Sequence, residues 1–140
     1  MMDAGFDALE SSFAAAGLVT PAVKTAVGRA RPVNGLGKSS FHPLDASYQS
    51  FPSGHATNAF AIASAIATRY DDSRFVPAIA YGLAGSVAVA RVHDRVHFAS
   101  DVLAGAMIGR AIGKSIVWNH RRARVVFVPA PNGVSVRSEF

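Results

Sequence analysis

The 140 residues suffice for one domain with a single packed core. The absence of cysteine excludes disulfides, thiol nucleophiles and thiolate metal sites. The formal charge of +5 is concentrated late in the chain, where Arg121, Arg122, Arg124 and Arg137 face only Glu139. This reads as a solvated basic tail that an anionic membrane surface can attract, and no aromatic interleaving marks a nucleic-acid partner.

Half of the residues are hydrophobic, many of them alanine, which suits closely packed helices. From Asp7 to Leu18, the residues Phe6, Leu9, Phe13 and Ala16 recur at helical spacing, and Gly17 offers a stop. Thr20-Pro21 has the form of an N-cap followed by proline at the first helical position, and Pro32 ends the helix it would open. Asn34-Gly35, Gly37, Pro43 and Pro52 make residues 32–52 a loop, long enough that a functional role is expected. A third helix is expected from Gly54 to Tyr70, a fourth from Phe75 to Ala90, and a fifth from His97 to Trp118. Gly105, Gly109 and Gly113 on the fifth permit close helix approach and suggest that it is central. Val125–Val128 and Val134–Val136 flank Asn132-Gly133 as a small hairpin. The expected fold is therefore all-α, a bundle of about five helices over residues 1–122, with a C-terminal β-hairpin or tail over 123–140.

None of these stretches makes a clean membrane span. Ala56–Thr68 is short of the ~20 residues required. Residues 75–90 contain a proline and two glycines, and the last helix carries Asp101, Arg110 and Lys114. A soluble or membrane-associated domain is expected. The acidic start lacks a basic segment followed by an apolar run, so this stretch holds no signal peptide.

Three separated blocks carry the chemistry. Lys24 and Arg31 are two helical turns apart and project from nearly one face, which makes a pair of cations for an anion or else a solvated basic stripe. Pro52-Ser53-Gly54-His55 stands where the loop meets a helix, whose first N–H groups can hold phosphate oxygens. Ser53 can cap that helix or donate its hydroxyl. Arg91, His97 and Asp101 form the third block, and the one-turn spacing lets Asp101 accept the Nδ1 proton of His97 and leave Nε2 free. A metal site built on His93, His97 and Asp101 is the alternative, disfavoured by three nearby cations. His42 and Asp45 are candidates for substrate contact or for solvated loop residues, and Phe41, Tyr48 and Phe51 for an apolar wall or loop anchors. His93 and Asp94 shape the pocket or end the fourth helix, and His120 belongs to the basic tail.

The pattern Lys24-x6-Arg31-Pro32, Pro52-Ser53-Gly54-His55, Arg91-x5-His97-x3-Asp101 resembles the type 2 phosphatidic acid phosphatase and vanadium haloperoxidase superfamily, in order and in spacing across residues 24–101. The resemblance implies a helical, metal-independent phosphatase acting on a phosphate monoester or diphosphate, lipid or polyprenyl phosphates preferred, in the cell envelope with a periplasmic-facing site. His97 would be the nucleophile, Asp101 its orienting partner and His55 the general acid. Lys24, Arg31, Ser53, Gly54 and Arg91 would bind phosphate. No cofactor is implied, although vanadate would occupy the site as inhibitor or, in a haloperoxidase, as prosthetic group. A non-catalytic helical domain is the rival from another class. Two departures stand out. Ala90 replaces the serine that usually precedes the arginine of the third block, and 23 residues precede Lys24 where relatives commonly place further helices, so a chain shortened at its N-terminus is expected.

Overall fold

The computed structural model describes the backbone of residues 2–122, 124–130 and 133–139, and side chains from residue 4 to residue 121. Its helices are α1 (Met2–Phe13), α2 (Thr20–Val27), α3 (Gly54–Arg69), α4 (Phe75–His93) and α5 (Ala99–Arg122). The all-helical class holds. Arg124–Ala130 and Gly133–Glu139 lie antiparallel with Arg124 opposite Glu139, but the fold assignment rests on the helices alone.

The first departure from expectation is the junction between α1 and α2. Gly17 does not stop the chain and Thr20 is not an N-cap. Residues Ala14–Val19 continue as a widened π-helical stretch, and the Thr20 N–H bonds to the Ala15 carbonyl five residues back. Pro21 has no N–H and its ring crowds the preceding turn, so widening the helix just before it lets the backbone pass. α2 then ends at Gly28, whose φ of +57° closes the helix in the left-handed region. A Cβ there would stand 1.7 Å from the His42 carbonyl oxygen, so only glycine fits.

The hydrophobic stripe on α1 faces the wrong way for a core. Phe6, Leu9 and Phe13 are 64, 67 and 81% exposed, whereas Ala4, Asp7, Ser11 and Ala15 are buried. Small residues let α1 lie close against α3, a helix whose own buried side chains are Ala56, Thr57, Ala61, Ala63, Ser64, Ala65 and Ala67. Asp7 is compensated by Arg69 at 2.9 Å and His120 at 2.5 Å, an arrangement that ties α1 to both α3 and α5. His120 is thus part of the bundle and not of a free tail.

α3 is the more central helix: it packs extensively against α1, α4 and α5, whereas α5 packs mainly against α3 and only lightly against α1 and α4. The glycine ladder nevertheless brings α5 very close to α3. Cβ atoms on Gly105, Gly109 and Gly113 would meet Ser53 O at 2.7 Å, Thr57 O at 2.1 Å and Ala61 O at 2.2 Å. This approach fixes the start of α5 against the start of α3, where two of the three sequence blocks lie.

α4 is longer than its hydropathy suggested, because it continues through His93. At 19 residues it is long and apolar enough to cross a membrane, by length and composition, about 28 Å at the helical rise. Phe75, Ile79, Leu83 and Val89 on it are 63–79% exposed, as are Leu103 at 65% and Met107 at 74% on α5.

Residues 32–52 have little regular structure, but backbone bonds hold the segment to the end of α2. Ala30 N–H donates to Ser40 O, His42 N–H to Gly28 O, Leu44 N–H to Thr25 O, and Ser50 N–H to Arg29 O.

Candidate active site

α2, the loop 32–52, the N-terminus of α3 and the segment before α5 enclose a cavity of about 460 Å³. Lys24, Arg31, Gly54, His55 and His97 line it, together with Ala16, Thr20, Pro21, Thr25, Gln49 and Asn58. Residues from all three sequence blocks therefore meet at one wall.

Lys24 on α2 is half-buried at the cavity, where its ammonium donates to the Gln49 carbonyl. Burial, and secondarily the Arg31 guanidinium, push its pKa down to about 8, against an opposing pull from Asp101. Ser53, with extended backbone, is the N-cap of α3: its Oγ accepts from Ala56 N–H at 3.5 Å and its carbonyl from Thr57 N–H at 2.9 Å. Its side chain is fully buried and turned into the helix start. The N–H groups of Gly54 and His55 begin the helix and have no carbonyl a turn earlier, which makes them suitable anion donors. His55 is exposed at the cavity rim.

His97 lies just before α5 and is 4% exposed. The expected bond to Asp101 is not formed: Nδ1 is 4.0 Å from Asp101 Oδ2 but 2.7 Å from the Ser50 carbonyl. A carbonyl only accepts, so Nδ1 carries the proton and Nε2 carries the lone pair. Burial and then the Lys24 charge push the pKa of His97 down to about 4, against the opposing Ser50 hydrogen bond. The imidazole is neutral at pH 7.

Asp101 is fully buried one step behind. Oδ2 accepts from Ser50 Oγ at 2.6 Å and from Phe98 N–H at 3.0 Å, and Oδ1 is paired with Arg29. The one-turn spacing places His97 and Asp101 on one side of the chain, but His97 precedes the helix, and Ser50 enters between them. Asp101 therefore holds Ser50, and Ser50 holds His97.

Arg29 was not expected at the site. Its Nη1 donates to Ser100 Oγ at 2.7 Å as well as to Asp101, and Nη2 donates to Lys38 O at 2.6 Å. Its guanidinium carbon lies 4.4 Å from the Phe98 ring centroid. This one side chain joins the loop to the start of α5. Its sequence signal was slight, a second arginine two positions before Arg31.

Arg91 is not brought to the cavity lining: it pairs with Asp94 at 3.0 Å near the end of α4. Asp94 thus engages the expected phosphate ligand instead of shaping the pocket. His93 is exposed, and among the described residues no group of three or more His, Asp or Glu is arranged to hold a metal. His42 stacks on Tyr48 at 4.1 Å and bonds Ser40 at 3.0 Å, while Asp45 accepts from Ser47 N–H. These residues anchor the loop.

Lipid A 1-phosphatase of Rhizobium etli is 35% identical in an alignment of 124 positions that covers 84% of this chain and 51% of that protein. The lipid A 1-phosphatase of Rhizobium johnstonii is 34% identical over 84% of this chain and 48% of its own length. That of Porphyromonas gingivalis is 35% identical in an alignment of 86 positions that covers 59% of this chain and 19% of its own length. The chain spans about half the length of the two Rhizobium relatives. No solved structure matches it significantly. Residues 8–124 match the PAP2 superfamily, and the chain belongs to that family.

Proposed function

We propose that this chain is a lipid phosphatase that hydrolyses a phosphate monoester through a covalent intermediate on His97. The observation that carries the reading is the convergence of Lys24, Arg31, the α3 N-terminus, His55 and a neutral, carbonyl-oriented His97 on one cavity. The family membership and the naming of the relatives as lipid A 1-phosphatases support it.

Lys24, Arg31 and the N–H groups of Gly54 and His55 stabilise the equatorial phosphate oxygens as charge spreads over them. The Nε2 lone pair of His97 forms a bond to phosphorus while the ester P–O bond breaks, and protonated His55 gives its proton to the leaving alkoxide. His55, now neutral, takes a proton from water. The resulting hydroxide attacks phosphorus, the P–N bond breaks, and inorganic phosphate leaves His97 neutral again. Asp101, Ser50 and Arg29 position the nucleophile without touching the substrate. No step calls for a metal.

The outward-facing apolar side chains of α1, α4 and α5 support a membrane-associated setting in the cell envelope, with α4 in contact with lipid. The test is phosphate release from a lipid phosphate in mixed micelles with a chelator present. Turnover that survives chelation and vanishes in His97→Ala is the expected result, and turnover that requires added metal refutes it.

A further inference from the structure

A second cavity, an apolar groove of about 210 Å³, runs along the seam between α3 and α4. Ala63 and Ala84, each 3% exposed, form its floor, and the larger Ile62, Ile66, Leu83 and Val87 form its walls. The walls are open to a ligand: Leu83 is 65% exposed and the other three are half-buried. None of the lining side chains is polar, so water finds no partner there and an apolar occupant is favoured.

Helix register ties this groove to the proposed anion cradle. α3 and α4 pack antiparallel across the turn at residues 70–74, and the lining spans 59–66 on one helix and 80–87 on the other. Ala59 is therefore level with Val87 at one end, and Ile66 with Ala80 at the other. One turn beyond the first end, on the same two faces, stand His55 and Arg91. His55 also lines the phosphate cavity. The groove thus begins about 6 Å from His55 along α3 and ends about 16 Å from it.

We infer that the groove seats one hydrocarbon chain of the substrate, whose phosphate is held at the start of α3. This rests on the reading of the first cavity as a phosphate-ester site. Continuity with that cavity sets the occupant: a chain that leaves the phosphate past His55 meets Ala59 next and an unbroken apolar seam after it. The volume lies below the roughly 300–1,000 Å³ of pockets for compact small molecules and suits a single unbranched chain. Each turn of α3 accompanies roughly four methylene groups, so the groove reads chain length. A butyl chain ends before Ala59, an octyl chain passes it, and a dodecyl chain reaches the level of Ile66 and Ala80.

The experiment titrates the full chain in detergent micelles with butyl-, octyl- and dodecylphosphonate, in which carbon replaces the ester oxygen and no hydrolysis occurs. The ratio of variant to wild-type affinity at each length cancels partition of the ligand into the micelle. Ala80→Phe fills the far end and should weaken dodecylphosphonate about tenfold or more while sparing the two shorter chains. Ala59→Phe fills the near end and should weaken octyl- and dodecylphosphonate alike while sparing butylphosphonate. Val89→Phe, on the opposite face of α4 and 69% exposed in the parent residue, should leave all three unchanged. Losses that do not depend on chain length overturn the groove. So does undiminished dodecylphosphonate binding in both Ala59→Phe and Ala80→Phe, which leaves the seam to bulk lipid or a second copy of the chain. Phosphonates report binding alone, so the two readings separate. The expected length pattern with no phosphate release from the matching esters removes the catalytic reading, and turnover of long-chain esters with no length pattern removes the groove.

Discussion

Asp101→Asn separates a positioning role from direct contact with the nucleophile. Asp101 is fully buried and its Oδ1 is paired with Arg29, while Oδ2 holds Ser50 Oγ and Phe98 N–H. Breaking a buried ion pair by neutralising one partner costs about 3–5 kcal/mol, and the amide oxygen of asparagine can still accept from Ser50 or Phe98. The lower end, about 3 kcal/mol, is expected, equivalent to a fall of about 10 °C in Tm for a chain of this size. In catalysis the effect is indirect, because His97 Nδ1 bonds the Ser50 carbonyl and lies 4.0 Å from the carboxylate. A modest displacement of the nucleophile costs about 100-fold in kcat, well short of the loss in His97→Ala. Thermal melts and initial rates in the same detergent provide both numbers. The double variant Arg29→Met with Asp101→Leu should be more stable than either single variant, since it leaves no unpaired buried charge. A Tm change under about 2 °C, or a kcat loss as large as that of His97→Ala, refutes this account of the relay.

His97 should remain neutral down to about pH 4, because burial and the Lys24 charge both disfavour its protonation. Histidine-selective NMR, assigned with His97→Gln, checks this, and titration near the ordinary pKa of 6.5 contradicts it. Lys24 loses its proton from about pH 8 upward in the free protein, so inhibition by inorganic phosphate should weaken above that pH by up to about tenfold per unit. Lys24→Arg should remove the decline. Gly109→Ala should destabilise the fold by about 1–3 kcal/mol or more, since its Cβ would meet Thr57 O at 2.1 Å and Ala61 N at 2.8 Å. Gly82→Ala, with nothing within 4 Å, serves as the control in the same thermal melts and should be neutral or stabilising.

The sequence carried most of the bundle, because alanine-rich helices bounded by glycine, proline and acidic turns are local features. It also carried the order of the three blocks, and five of their residues do line one cavity. The inverted stripe of α1 was not legible. Helical periodicity shows that Phe6, Leu9 and Phe13 share a face but not whether that face turns toward the core or away from it, and here the small residues are inside. Thr20-Pro21 has the form of a cap, yet the helix passes through it by widening over Ala14–Val19 just before the proline. Asp101 was paired with His97 by spacing, and the intruding Ser50 comes from a loop 47 residues earlier. Arg91 followed its motif and not its surroundings, where Asp94, three residues on, engages it.

The central claim is covalent catalysis on His97. A lipid phosphate labelled with ³²P, mixed with the protein and quenched in base within the first turnover, should leave label on the chain that survives alkali and is released by acid, as a phosphoramidate requires. The label should be absent from His97→Ala and should map to the peptide containing His97. Phosphate release at the wild-type rate with no labelled protein in the first turnover, or label on another residue, would contradict the account.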